Sequence, residues 1–130
     1  MDQKIILDAS SKKLNNRKNF VNRARENNFN VFLPLLKSKI DFILLYESNG
    51  DLRKVKLKTR WIIDRNYLNR DIWIAFPNEN EWYLILHDDM VAVAAKQGFT
   101  NTESWIGETG TYHLPYISSA VLKSCQPFRF

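Results

Sequence analysis

The sequence predicts a single α/β (α+β) domain over residues 1–130, in which helices cover a mixed sheet. Three observations predict this class. A polar segment near the N-terminus has helical periodicity, short apolar segments separated by turns fill the middle of the chain, and helical patterns return towards the end. The chain has 130 residues, enough for one hydrophobic core and too few for two ordinary domains.

Residues 8–27 predict the first helix. This segment is polar except for Leu14, Phe20, Val21 and Ala24, whose spacing places them along one narrow helical face. Two asparagines close the segment, and asparagine tolerates the left-handed backbone that ends many helices. We therefore expect an amphipathic helix that packs against a sheet.

A run of strands follows the helix. The predicted strands are residues 29–33, 40–46, 52–59, 71–76 and 82–86. Asn49-Gly50 separates the second strand from the third, and an Asn-Gly pair between two strands predicts a hairpin. Most neighbouring strands should therefore run antiparallel.

Helical patterns occupy much of the remaining sequence. His87-Asp88-Asp89 predicts the cap of a helix over residues 90–96, because polar and acidic groups are favoured at a helix start. Residues 116–124 follow Pro115 and predict the last helix.

The chain is basic and its charge is polarised. Lys and Arg number 19 against 14 Asp and Glu, for a net charge of +5. Residues 1–30 hold seven basic and three acidic residues, residues 51–70 hold seven and two, and residues 76–110 hold one and six. Such a surface favours a polyanion on one side, although an ordinary solvated basic surface has the same composition.

The sequence also limits the compartment and the metal chemistry. No apolar run reaches the roughly 18 residues that span a membrane, and no secretory signal opens the chain. The single cysteine, Cys125, excludes an intramolecular disulfide and a four-thiolate zinc site. We therefore expect a cytoplasmic protein that does not enter a membrane.

One pair of residues suggests chemistry. Asp41 lies near the start of one hairpin strand and Lys58 lies on the returning strand. A carboxylate and a backbone carbonyl can hold Mg²⁺, which lowers the pKa of a bound water, and a lysine can stabilise the charge of a phosphoryl transition state. The same pair is also consistent with an exposed cross-strand ion pair.

Asp41, the turn at Gly50 and the segment 53–60 resemble the PD-(D/E)xK superfamily of metal-dependent nucleases. Two further segments, residues 67–76 and 82–90, are similar to its small Gln-x-Lys branch, which includes a cyanobacterial group I intron homing endonuclease. The resemblance spans about residues 12–96 and implies a restriction-endonuclease-like mixed central sheet flanked by helices. Residues 97–130 have no counterpart in it.

The resemblance assigns a role to each motif residue. It makes Asp41 the metal-binding carboxylate, the backbone carbonyl of Leu57 a second Mg²⁺ ligand, and Lys58 the catalytic lysine. The chain departs from the pattern at Lys56, where the family has Glu, Asp or Gln, because an ammonium has no lone pair for a metal. Either the site is impaired, or Lys56 neutralises the substrate phosphate while Asp41 and that phosphate hold the metal beside Lys58.

The resemblance thus implies a sequence-directed DNA endonuclease of homing or restriction type. The alternatives are a catalytically inactive DNA-binding module of the same fold and a protein-interaction adaptor. Cutting both strands of double-stranded DNA needs two active sites, so we expect a homodimer or homotetramer. The residues expected to contact DNA phosphates are Lys12, Lys13, Arg17, Lys18, Arg53, Lys54, Arg60, Arg65 and Arg70.

Overall fold

The computed structural model describes the backbone of residues 9–130 and the side chains of residues 13–130. The helices are α1 (Ala9–Glu26), α2 (His87–Lys96), α3 (Glu103–Ile106) and α4 (Ser119–Cys125). The strands are β1 (Phe29–Phe32), β2 (Phe42–Tyr46), β3 (Asp51–Leu57), β4 (Trp61–Asp64), β5 (Ile72–Asn78), β6 (Glu81–Leu86) and β7 (Thr111–Leu114). The predicted α+β class is confirmed. None of these helices has the length and apolar character needed to cross a bilayer.

Five strands form a mixed sheet in the order β1-β2-β3-β5-β6. The β3 and β5 strands are parallel, and the other neighbours are antiparallel. The predicted hairpin joins β2 to β3, with Tyr46 opposite Asp51. Gly50 adopts a φ of +75° in its turn, a conformation that glycine adopts without a steric penalty.

The two faces of the sheet are covered by different elements. On one face, α1 buries Phe20 and Ala24 against a cluster that includes Val55 of β3. On the other face, α2 and α4 contribute Met90 and Val121 to a second cluster. The single apolar stripe of α1 is sufficient for its position, because only one side of that helix meets the sheet.

A second, two-stranded antiparallel sheet of β4 and β7 was not predicted. Trp61 and Ile63 of β4 are fully buried in the second cluster. The sequence of β4, Trp-Ile-Ile-Asp, does not alternate between apolar and polar residues and is only four residues long, so it gives a weak strand signal although its side chains are alternately buried and half-buried. This pairing connects residues 97–130, which have no counterpart in the motif resemblance, to the core.

The predicted ends of most elements differ from the structure by one to three residues, and two of them are informative. The β3 strand ends at Leu57 rather than at residue 59. The last helix begins at Ser119 rather than at residue 116, because the Ser118 hydroxyl caps it by accepting a hydrogen bond from the Val121 N–H at 3.3 Å.

Candidate active site

The carboxylate of Asp41 is held at the junction of α1, β2 and β3. Asp41 immediately precedes β2, and its Oδ2 accepts a hydrogen bond of 2.7 Å from the Leu57 N–H. The Lys56 ammonium lies 3.6 Å from the same oxygen. From α1, the Arg17 guanidinium approaches Oδ1 at 3.4 Å. Two cations and one backbone donor therefore enclose a side chain that is only 19% exposed.

These groups lie in a cleft of about 300 Å³. The residues that line it are Lys13, Asn16, Arg17, Asp41, Lys56, Leu57, Lys58 and Thr59. Four of these side chains are basic and one is acidic, so the cleft carries an excess of positive charge. Because a concave basic site concentrates anions, the arrangement suits a phosphate group.

Lys58 lies in the same cleft as Asp41, as the motif requires, but interacts with a different group. Its N–H donates to the Ala75 carbonyl at 2.8 Å, which aligns it with β5. Its ammonium lies 5.5 Å from the centroid of the Tyr67 ring, where a cation–π interaction is favourable. Within the described residues, Asp41 forms its ion pairs with Arg17 and Lys56.

Tyr67 is a site residue that the sequence did not indicate. It belongs to the turn of 3₁₀ helix at Arg65–Tyr67 and is buried beside Lys58. Burial raises the pKa of its phenol, and the neighbouring Lys56 charge opposes this increase. The ring therefore stays neutral and provides an apolar support for the ammonium.

His87 holds the Tyr67 turn in place. It is fully buried, and its Nε2 accepts a hydrogen bond of 3.0 Å from the Asp64 N–H. Its Nδ1 lies 3.3 Å from Asp88 Oδ1, and its ring meets that of Tyr67 edge-on. Burial lowers the pKa of His87, so the imidazole stays neutral.

The predicted cap at His87-Asp88-Asp89 is wrong in detail. These residues form the first turn of α2, and the N-cap is Leu86, which makes no side-chain capping hydrogen bond. The two carboxylates do lie at the helix start, where the helix dipole favours them. His87 therefore does not act as a cap. Its role in the structure is the hydrogen bond that it accepts from the Asp64 N–H of β4.

The site offers the donors that Mg²⁺ uses in many proteins. Among residues 13–130, no three His, Cys, Asp or Glu side chains are grouped to hold a metal. A single carboxylate, Asp41, and the carbonyl of Leu57 are oxygen donors, and Mg²⁺ commonly completes such a set with water and substrate phosphate. The donor types fit, with Lys56 as a competing cation on the carboxylate.

Arg53 was expected to contact DNA but is engaged in structural contacts. Its guanidinium lies 4.2 Å from the centroid of the Trp73 ring. It also pairs with Asp51 at 3.0 Å. A guanidinium stacked on an indole and paired with a carboxylate contributes to packing, and the phosphate contact of Arg53 stays a prediction.

The other side chains expected to contact DNA phosphates are bonded to the backbone, line the cleft or are exposed at the surface. Lys54 donates to the Arg70 carbonyl at 2.7 Å, and Arg65 donates to the Gly107 carbonyl, so both ammonium and guanidinium have backbone partners. Lys13 and Arg17 line the cleft. Five side chains in this set are exposed: Lys13, Lys18, Arg60, Arg65 and Arg70. The side chain of Lys12 lies outside the described residues.

The fold resembles that of a bacterial homing endonuclease. The solved structure is that of I-Ssp6803I, with a TM-score of 0.56 and 16% sequence identity. The match covers 95% of this chain and 88% of that chain. No protein-family model matches the sequence, and no curated protein does. At this identity the likeness concerns the fold, and it includes residues beyond the segment that the motif resemblance covered.

Proposed function

We propose that the chain is a double-stranded DNA endonuclease of homing or restriction type that hydrolyses phosphodiester bonds with Mg²⁺. The observation that carries the proposal is the basic cleft in which Asp41, Leu57 and Lys58 meet. It lies in a fold similar to that of I-Ssp6803I, a bacterial homing endonuclease. The membership in the PD-(D/E)xK superfamily is part of the proposal and rests on the motif spacing.

The proposed roles follow from the contacts in the cleft. When bound, Mg²⁺ would supply an activated water and neutralise developing negative charge. Asp41 and the Leu57 carbonyl would hold it, because Asp41 is the one carboxylate among the residues that line the cleft and Leu57 is hydrogen-bonded to it through its N–H. Lys58, whose ammonium lies over the ring of Tyr67 and which lines the cleft, would stabilise the pentavalent phosphate. Lys13 and Arg17 bind the adjoining phosphate.

A second candidate is a catalytically inactive DNA-binding protein with the same fold. The Lys56 ammonium favours it, because it lies 3.6 Å from the Asp41 carboxylate and opposes a metal there. The first candidate needs Lys56 to transfer from Asp41 to a substrate phosphate when DNA binds. The second needs no such movement, since the ion pair simply persists.

Cleavage of a supercoiled plasmid library with random inserts, in Mg²⁺ or Mn²⁺, separates the two candidates. The endonuclease proposal predicts cutting by the parent and a loss of at least a hundredfold in Lys58→Met. Lys123→Met is the matched control, because Lys123 is exposed on α4 and is not among the residues that line the cleft. Equal cutting by the parent and Lys58→Met would refute the assigned lysine.

The behaviour of Lys56→Gln decides the remaining cases. If the parent is inactive and Lys56→Gln cuts, the chain is a blocked nuclease. If both are inactive but bind DNA with the steep salt dependence of counterion release, the second candidate holds. Failure to bind DNA at any salt concentration would contradict both candidates and favour a protein-interaction adaptor.

Assembly is a separate part of the proposal. A single cleft of this kind cuts one strand, so double-strand cleavage requires a homodimer or homotetramer. Sedimentation velocity over a range of concentrations, with and without DNA, measures the mass. A protein that cuts both strands in one encounter while staying monomeric would refute this part.

A further inference from the structure

Two leucines project into solvent beside the cleft. Leu35 is 97% exposed and Leu36 is 80% exposed, in the loop between β1 and β2. The end of this loop is anchored, because Ile40 packs against the second core cluster and its N–H donates to the Ser38 hydroxyl at 3.2 Å. We call Leu35 and Leu36 the leucine tip. The loop that carries this tip is therefore held in place at its C-terminal end.

The leucine tip is adjacent to the Asp41 site. Leu36 lines a small cleft of about 220 Å³ together with Arg17 and Asp41. Arg17 and Asp41 also line the larger basic cleft, so the two clefts are adjacent. A molecule whose phosphate reaches Asp41 therefore meets the leucine tip.

The surroundings of the tip are cationic. Lys37 and Lys39 are both exposed in the same loop, and Arg17 lies on its inner side. Cores of protein–protein interfaces are depleted in such charges, whereas proteins that kink DNA place apolar wedges next to basic residues on the backbone. The combination of an apolar tip and flanking cations thus favours a nucleic acid over a protein partner.

We propose that Leu35 and Leu36 form a wedge that enters between two base pairs of bound DNA and kinks the duplex next to the cleft. This inference rests on the proposed DNA binding and adds how the duplex is deformed. Lys37 and Lys39 contact the flanking phosphates. Opening a base step costs stacking energy, which burial of two exposed leucines offsets, and the kink turns the backbone towards Asp41.

The test uses a duplex of alternating 2-aminopurine and thymine in EDTA, which prevents hydrolysis. Every register of such a duplex presents a probe to the wedge. Anisotropy of an end label reports binding, and 2-aminopurine fluorescence reports unstacking. The parent should raise the fluorescence on binding, and Leu35→Ala/Leu36→Ala should lose most of this rise and about tenfold in affinity.

Leu52→Ala is the matched control. Leu52 is also an exposed leucine, at 56%, but it lies in β3 near the hairpin turn rather than in the loop. Its truncation should leave both signals unchanged. Because Leu35 and Leu36 are exposed, the double variant keeps the core intact, and its unfolding midpoint should match that of the parent.

The outcomes separate this inference from the proposed function. No binding in the anisotropy titration overturns the proposed function and the wedge together. Binding by the parent without a fluorescence rise, or an equal rise in the double variant, overturns the wedge alone. A fall in the sedimenting mass of the double variant, with unchanged fluorescence, would assign the leucines to self-association instead.

Discussion

Replacement of Lys56 by glutamine should strengthen metal binding at Asp41. The Lys56 ammonium lies 3.6 Å from Asp41 Oδ2. A Mg²⁺ or Mn²⁺ ion about 2.1 Å from that oxygen would lie roughly 5 Å from the ammonium. There the repulsion between charges of two and one amounts to about 1.7 kcal/mol even at the dielectric constant of water.

This repulsion corresponds to a gain of roughly tenfold to twentyfold in metal affinity for Lys56→Gln. The amide oxygen of glutamine can also serve as a ligand, which adds to the effect. Mn²⁺ titration followed by electron paramagnetic resonance measures the affinity in the absence of DNA. Lys54→Gln is the control, because it removes the same charge but lies opposite Ile43, two residues further along each strand.

Two results would refute this reasoning. If Lys56→Gln and Lys54→Gln change the affinity equally, the effect is general electrostatics and not the ion pair at Asp41. If neither changes it, while Asp41→Asn also leaves it unaltered, then Mn²⁺ does not bind at this carboxylate.

Three further predictions concern stability, pH and salt. Arg53→Ala should lower the free energy of unfolding by about 1–2 kcal/mol in urea titrations, because it removes the stack on Trp73. Burial lowers the pKa of His87 in the folded chain. As the pH falls through the ordinary histidine pKa of about 6.5, the unfolded chain takes up a proton at this residue and the folded chain does not. Stability should therefore be present above about pH 6.5 and decline as the pH falls below it, and His87→Gln should flatten this decline in urea titrations at several pH values. Lys13→Ala should reduce the slope of log affinity for DNA against log salt by about 0.9, while Lys123→Ala on α4 should leave it unchanged.

The hairpin shows how much of the site was available from the sequence. In the structure a four-residue loop, residues 47–50, sets Tyr46 opposite Asp51, and counting outward along both strands places Asp41 opposite Lys56. A two-residue Asn-Gly loop would instead set residue 48 opposite Asp51, and therefore Asp41 opposite Lys58. The motif likewise directs attention to Lys58, two residues further along. The sequence therefore predicts the hairpin and a lysine near Asp41, but the length of the loop decides that Lys56 rather than Lys58 pairs with the carboxylate.

Other parts of the site depend on contacts that local patterns do not contain. Arg17 approaches Asp41 because α1 packs across this part of the sheet; the apolar stripe of α1 determines which side of the helix faces the sheet, but not which strands it crosses. The pairing of β4 with β7 joins segments almost fifty residues apart. The sequence predicts a cap at His87 because local patterns do not show tertiary contacts. The hydrogen bond that His87 accepts from the Asp64 N–H is such a contact.

The ion pairs of Asp41 also link metal binding to DNA binding. Arg17 and Lys56 neutralise the carboxylate, and a phosphate in the cleft would compete for these same cations. Each cation that transfers to the phosphate leaves Asp41 with an unpaired negative charge beside the Leu57 carbonyl, which favours a divalent ion. Metal affinity should therefore rise when DNA is bound, and by linkage the metal should raise DNA affinity by the same factor. In a cleft lined by one carboxylate and four basic side chains, the substrate rather than a second carboxylate would have to complete any metal site.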